Sequence, residues 1–98
     1  MSLPVNLRPV ARIEYLKASA WYEDEQPGLG EAFEIKVQAT FDMIADQPNR
    51  FPIAESDIRE AKVRRFPYCV YYRVLPDFIE VVGVFHQSRD PKEWQARS

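Results

Sequence analysis

His86 is the one imidazole in a chain of 98 residues, and so the only side chain whose ordinary titration places a general acid or base near neutral pH. Cations of the kind that stabilise a charged phosphodiester transition state are present at Lys62, Arg64, Arg65, Arg73 and Arg89. Cleavage of RNA at its own 2′-hydroxyl needs a group to take that proton, cations for the developing charge, and an acid for the leaving oxygen. His86, Arg65, Arg73 and Arg89 are the candidates for those catalytic roles, but the sequence does not display the whole constellation. His86 fits better as a strand end, bonded to a backbone carbonyl or to Asp90, and Arg65 and Arg73 fit better in ion pairs with Glu60, Asp77 or Glu80 on neighbouring strands. Tyr68, Tyr71 and Tyr72 are of a type that stacks on bases, although aromatic residues at strand spacing more often fill a core. No glycine-rich phosphate loop, metal-ligand pair or Ser–His–acid arrangement is recognisable, so neither a metal nor a cofactor is expected. Cys69 is the single cysteine; its place between Tyr68 and Val70 points to a buried, inert thiol with no intrachain disulfide to form.

Composition bounds what carries these groups. Ninety-eight residues at 46% hydrophobic content suit one domain spanning residues 1–98, since a chain of this length buries roughly two thirds of its unfolded surface in a single core. The apolar runs are far shorter than the roughly 20 residues of a membrane span, and the first residues lack the pattern of a secretory leader, so a soluble cytoplasmic protein with no membrane partner is expected. The net charge of −2 conceals an asymmetry: residues 1–57 carry five Lys/Arg against ten Asp/Glu, and residues 58–98 carry eight against five. The second half is therefore mildly basic, able to complement an acidic partner but too weakly charged to steer the whole molecule toward nucleic acid.

Periodicity assigns the elements. Pro4 to Leu7 read as a short first strand, and Pro9 opens a helix at a position where proline is tolerated. Ile13, Leu16, Ala20 and Trp21 then recur from Val10 at helical spacing as far as Gln26, with Arg12, Glu14, Lys17, Glu23 and Asp24 on the remaining surface. Pro27-Gly28-Leu29-Gly30 breaks the helix and reverses the chain. Leu29, Phe33, Val37, Phe41 and Ile44 form the apolar stripe of a second helix. Pro48 and Pro52 bracket an irregular connection, after which Glu60 to Arg64 alternate as a strand, Tyr68 to Leu75 form another, and Ile79 to His86 a third that is buried on both faces. Asp90-Pro91-Lys92-Glu93 supplies the start of a last helical turn carrying Trp94. The expected fold is α+β: a short first strand, a helical hairpin, then a three-stranded antiparallel meander with the helices on one face and a short C-terminal helical turn. The other face of the sheet is expected to lack a cover within the chain.

Several strings in this order resemble the RelE/ParE toxins of bacterial type II toxin–antitoxin systems, the group that includes plasmid stabilisation proteins. Ala20-Trp21-Tyr22-Glu23 leading to Gln26-Pro27-Gly28-Leu29-Gly30-Glu31 and Phe33 is similar to the family's interhelical hairpin, and Asp46-Gln47-Pro48-Asn49-Arg50-Phe51-Pro52 to the segment leaving its second helix. Arg64-Arg65-Phe66-Pro67-Tyr68-Cys69-Val70-Tyr71-Tyr72-Arg73 resembles the central hairpin of its sheet. Val84-Phe85-His86-Gln87-Ser88-Arg89-Asp90-Pro91 with Trp94 resembles its C-terminal signature.

The resemblance implies a toxin made with a cognate antitoxin that covers it in a hetero-oligomer, and freed when the less stable antitoxin is degraded. RelE-like members cleave messenger RNA in the ribosomal A site, whereas characterised ParE-like members inhibit DNA gyrase. The nuclease branch is strongly basic and typically ends in a catalytic tyrosine or histidine; this chain has a pI of about 5.4 and ends Trp94-Gln95-Ala96-Arg97-Ser98. The expectation is therefore a ParE-like toxin that is not an enzyme and acts by binding gyrase. The alternatives are a metal-independent, ribosome-dependent endoribonuclease acting on messenger RNA, and a non-toxic module that only binds antitoxin. Trp21, Lys62, Arg64, Arg65, Arg73 and Trp94 are the expected antitoxin- or target-binding residues. The main surface is expected on the hairpin of residues 9–46 and the basic sheet of residues 58–86, reached by a helix laid across the hairpin or a strand added to the sheet.

Overall fold

A computed structural model describes residues 2–97. The first strand, β1 (Val5–Leu7), leads into helix α1 (Pro9–Glu25), whose first position is a proline with no N–H to leave unsatisfied. Helix α2 (Leu29–Asp46) follows after Gly28, whose φ of +89° is left-handed and open to glycine at little cost. The Glu23 carboxylate reaches forward across this turn and accepts from the amides of Gly28 and Gly30, at 2.9 and 3.0 Å. It thereby satisfies donors that the start of α2 cannot use internally, and it places negative charge at the positive end of the helix dipole.

The stripe on α2 packs as its spacing predicts. Phe33, Val37, Phe41 and Ile44 are all buried, and Leu29 is half-buried at the start. Helix α1 behaves differently. Its buried positions are Ala11, Ala18 and Ser19, while Val10, Ile13, Leu16 and Trp21 remain 39, 52, 54 and 57% exposed. The apolar residues expected to define the inner side of α1 thus lie outside, and the half-buried Tyr15 and Tyr22 supply the bulk on the inner side. Close approach is the reason: a Cβ on Gly30 would stand 2.7 Å from the Ser19 carbonyl oxygen, so the helices touch through small residues and leave no room for large ones.

The sheet has five strands rather than the short first strand and three-stranded meander. To β3 (Ile58–Lys62), β4 (Tyr68–Val74) and β5 (Ile79–His86) are added β1, parallel to β5 along one edge, and β2 (Ile53–Glu55), antiparallel to β3 along the other. The irregular connection expected between Pro48 and Pro52 is present, and the stretch after it, which was assigned no element before Glu60, holds β2 and a tight turn with Ser56 at φ +52°. All of β2 is exposed, which explains why hydrophobic alternation did not reveal it. β3 ends at Lys62 and not at Arg64, because the chain turns through Arg65 at φ +67° to start β4.

A bulge sets both faces of β5. Tyr71 pairs with Gly83 and Tyr72 with Val81, leaving Val82 as the extra residue. Val81 and Val84 thereby join the core beneath the helices, while Val82 and Phe85 join Ile58, Cys69, Tyr71 and Trp94 on the reverse face. That face was expected to lack a cover, and here the structure differs. After β5 the chain folds back over the sheet, and α3 (Lys92–Gln95) stacks Trp94 on Tyr71 with ring centroids 4.1 Å apart and 15° between planes. Asp90 accepts from the Lys92 amide at 3.0 Å, the start signal read from the sequence. No helix among the described residues is long and apolar enough to cross a membrane.

Candidate functional site

The outward apolar residues of α1 are not scattered. Val10, Ile13 and Trp21 fall on one side of the helix and face a groove of about 430 Å³, whose opposite wall includes Tyr68, Val84 and His86. The groove exists because β1 is short: it pairs with β5 only from Ile79 to Val81, so the remainder of β5 has α1 and the C-terminal segment beside it in place of another strand. A second cleft of about 390 Å³ shares Trp21, Tyr68 and His86 and adds Tyr22 and Pro67. Contiguous exposed apolar surface with a polar rim is what protein recognition sites look like.

The groove also holds a charge cluster. Glu14 belongs to the same side of α1 as Val10 and Trp21, yet its side chain is only 10% exposed. Its carboxylate accepts from the Val84 amide at 3.1 Å and from both terminal nitrogens of Arg97 at 3.1 and 3.0 Å, and it lies 3.5 Å from Arg89. Arg97 also donates to the Val82 carbonyl at 2.9 Å, and its own carbonyl accepts from Arg8 at 3.0 Å. The guanidinium carbons of Arg89 and Arg97 lie 4.1 and 4.8 Å from the centroid of the Phe85 ring. Neither Glu14 nor Arg97 stood out by spacing. A carboxylate within an apolar helical stripe was the available signal for the former, since a charge there must be either paired or exposed.

His86 closes β5, where its Nδ1 accepts from the Ser88 amide at 3.0 Å and its ring packs edge-on against Tyr68. The expected bond to a carbonyl or to Asp90 is replaced by this contact. Because a backbone amide can only donate, the neutral ring carries its proton on Nε2. Tyr68 offers no base beside it: burial pushes its phenol above the ordinary tyrosine value, and Arg89 only partly offsets this. Burial also raises the Cys69 thiol, chiefly through desolvation and then through Glu60, in keeping with an inert core cysteine.

The expected cations divide into two groups. Lys62, Arg64 and Arg65 are exposed at the end of the sheet nearest His86, and no ion pair engages them among the described residues. Arg73 lies toward the other end of β4, roughly 17 Å along the strand from the His86 pairing at about 3.4 Å per residue. There it pairs with Asp57 at 3.2 Å and Glu80 at 4.0 Å. Arg89 is engaged by Glu14 and by Glu93. His86, Arg65, Arg73 and Arg89 therefore do not converge on one point. Of the two expected tryptophan contacts, Trp21 is exposed and Trp94 is buried to 4% exposure in the second core, so Trp94 offers no face to a partner while α3 stays in place. No group of three or more His, Cys, Asp or Glu side chains among the described residues is arranged to hold a metal ion.

Among the curated proteins no similar sequence was found. A solved structure described as a chromosomal ParDE TA system from P. aeruginosa superposes with a TM-score of 0.74 at 11% identity, covering 87% of this chain and 96% of that one. At that identity the match speaks for the fold alone. The family described as the ParE toxin of the type II toxin–antitoxin system, parDE, matches over residues 5–91, from the start of β1 past Arg89. The chain therefore belongs to the ParE toxin family of type II toxin–antitoxin systems.

Proposed function

We infer that the protein is a toxin that works by binding rather than by cutting, with DNA gyrase as its target, and that a cognate antitoxin silences it by covering α1 and the adjoining groove. The observation that carries this reading is the outward apolar ridge of α1, at Val10, Ile13, Leu16 and Trp21, set beside an imidazole and an arginine that already have partners. An exposed tryptophan at the rim of a groove is a natural anchor for a partner helix, because such residues supply most of the energy of small interfaces. Exposed Lys62, Arg64 and Arg65 favour an acidic stretch in that partner and make association salt-dependent. The family assignment supports the pairing with an antitoxin and favours gyrase as target.

Induction of the toxin without antitoxin tests the target. The expected result is loss of gyrase supercoiling activity and a DNA-damage response while protein synthesis continues. Early arrest of translation with cuts in the ribosomal A site would reject the assignment. Continued growth with folded protein present would instead identify a non-toxic binding module. Antitoxin binding is tested separately: Trp21→Ala is expected to weaken it by about thirtyfold or more, the scale of an interface anchor. Joint charge reversal at Lys62, Arg64 and Arg65 is expected to abolish most of its salt dependence.

One observation favours the ribonuclease alternative. Lys62, Arg64 and Arg65 have no ion-pair partner among the described residues and lie at the same end of the sheet as His86, and cations near an imidazole are the parts a phosphodiester cleavage requires. On that reading His86→Gln and Arg65→Ala would each abolish messenger RNA cuts, whereas a toxin that acts on gyrase would show no cuts to abolish.

A further inference from the structure

We propose that residues 87–97 form a hinged cover over a second apolar surface, and that Glu14 of α1 is the latch that holds it shut. No strand ladder secures this segment among the described residues. It is tied to the sheet at its root by the Gln87 amide, which donates to Pro67 at 2.8 Å, and thereafter mostly by local turns. Among the contacts that hold its far part are the stack of Trp94 on Tyr71, the grip of Glu14 on Arg97, and the bonds that Arg97 donates to the Val82 carbonyl and accepts from Arg8.

The latch is built so that one carboxylate controls several groups at once. Glu14 neutralises Arg97 and, together with Glu93, Arg89, and the two guanidiniums stand against the same Phe85 ring. It also accepts from the Val84 amide, a donor on the part of β5 that has no β1 beside it. Removing its charge takes from Arg97 its carboxylate partner and leaves it beside Arg89 at the same ring, and that repulsion is relieved when the segment swings away. Gly83 is the seat of the latch, since a Cβ there would approach the Phe85 ring to 2.9 Å and Arg97 to 3.1 Å. Opening uncovers Tyr71, Val82 and Phe85, which belong to a compact cluster fully separate from the helix-side core. The molecule would then expose apolar surface on both sides of the sheet without unfolding, because the core under α1 and α2 shares no residue with the one under the cover.

Hydrogen exchange on the unmodified protein gives the first test. The amides of residues 93–97 are expected to exchange at least about a hundredfold faster than those of β4 and α2, through an opening that leaves the rest folded. Equal protection in the segment and in β4 would mean that only global unfolding releases it, and would overturn the proposal. Glu14→Gln gives the second test, in a Trp21→Phe background so that Trp94 is the sole tryptophan. Acrylamide quenching of Trp94 is expected to rise several-fold, and exchange of residues 93–97 at least about tenfold, with β4 and α2 unchanged. Gly83→Ala is expected to give the same signature with Glu14 intact. A Trp94 that stays as shielded as in the Trp21→Phe parent, or β4 amides that accelerate in step with the segment, would each refute the latch.

Discussion

Helices α1 and α2 are near equals in length and lie against each other, yet they spend their large apolar residues in opposite directions. Helix α2 turns Phe33, Val37, Phe41 and Ile44 into the core, whereas α1 turns Val10, Ile13, Leu16 and Trp21 to the outside and packs inward through Ala11, Ala18 and Ser19 flanked by the half-buried Tyr15 and Tyr22. A helix that meets its neighbour through small residues can lie close to it and leave large apolar ones outside. The difference separates two parts of the hairpin: α2 packs the core, and α1 carries the exposed ridge on which the proposed partner contact rests.

The sharpest way to break this contrast is to truncate one residue of each kind. Phe33→Ala removes a fully buried ring that touches Tyr22, Phe66 and Tyr68, and is expected to cost about 3–5 kcal/mol in chemical denaturation. Alkaline pH should attack the same packed side. Tyr72 is wholly buried, donates to the Pro48 carbonyl at 2.6 Å just beyond α2, and has its phenol pushed up to about 12, mainly by burial and against a smaller opposing effect of Arg59. Below pH 10 both folded and unfolded states keep this proton. Between about 10 and 12 only the unfolded state releases it, so stability should fall by roughly 2–3 kcal/mol across that window, and Tyr72→Phe should flatten the decline.

Gly30→Ala probes why α1 has small residues inside. The added methyl meets the Ser19 backbone carbonyl and is expected to force the helices apart at a cost of about 1–3 kcal/mol. The smallest effect on stability belongs to the ridge. Ile13→Ser and Trp21→Ser should each change unfolding free energy by no more than about 0.5 kcal/mol, despite removing apolar residues as large as those of α2. A loss comparable to that of Phe33→Ala would show that the ridge is core after all and dissolve the distinction between the helices.

Much of this was legible in the residues. Pro9, the Pro27-Gly28 break and the stepping of Phe33, Val37, Phe41 and Ile44 fix the helical hairpin by local rules, since each acts within one or two turns of chain. The strands from Tyr68 onward declare themselves through β-branched and aromatic density, and Asp90 marks the last helical turn. The short, wholly exposed β2 carried no such pattern, because a strand with no buried face has nothing to alternate. The site was legible only in pieces. His86, Arg65 and Arg89 could be picked out by type, but type does not disclose whether a cation is already neutralised. Arg73 is held by Asp57 and Glu80, and Trp94 is buried.

Apart from β2, the kinds and order of the elements and the kinship of the chain could be read from the residues alone, because these rest on periodicity and on short strings that need no distant contact. Tertiary structure alone decided which way α1 faces. Its helical period fits either orientation, and the choice falls to the close contact at Gly30, made by residues from two different helices. Tertiary structure likewise decided the role of Glu14, whose partner Arg97 is 83 positions away. A carboxylate is committed or free according to what folding brings beside it, and that is a property of the assembled chain.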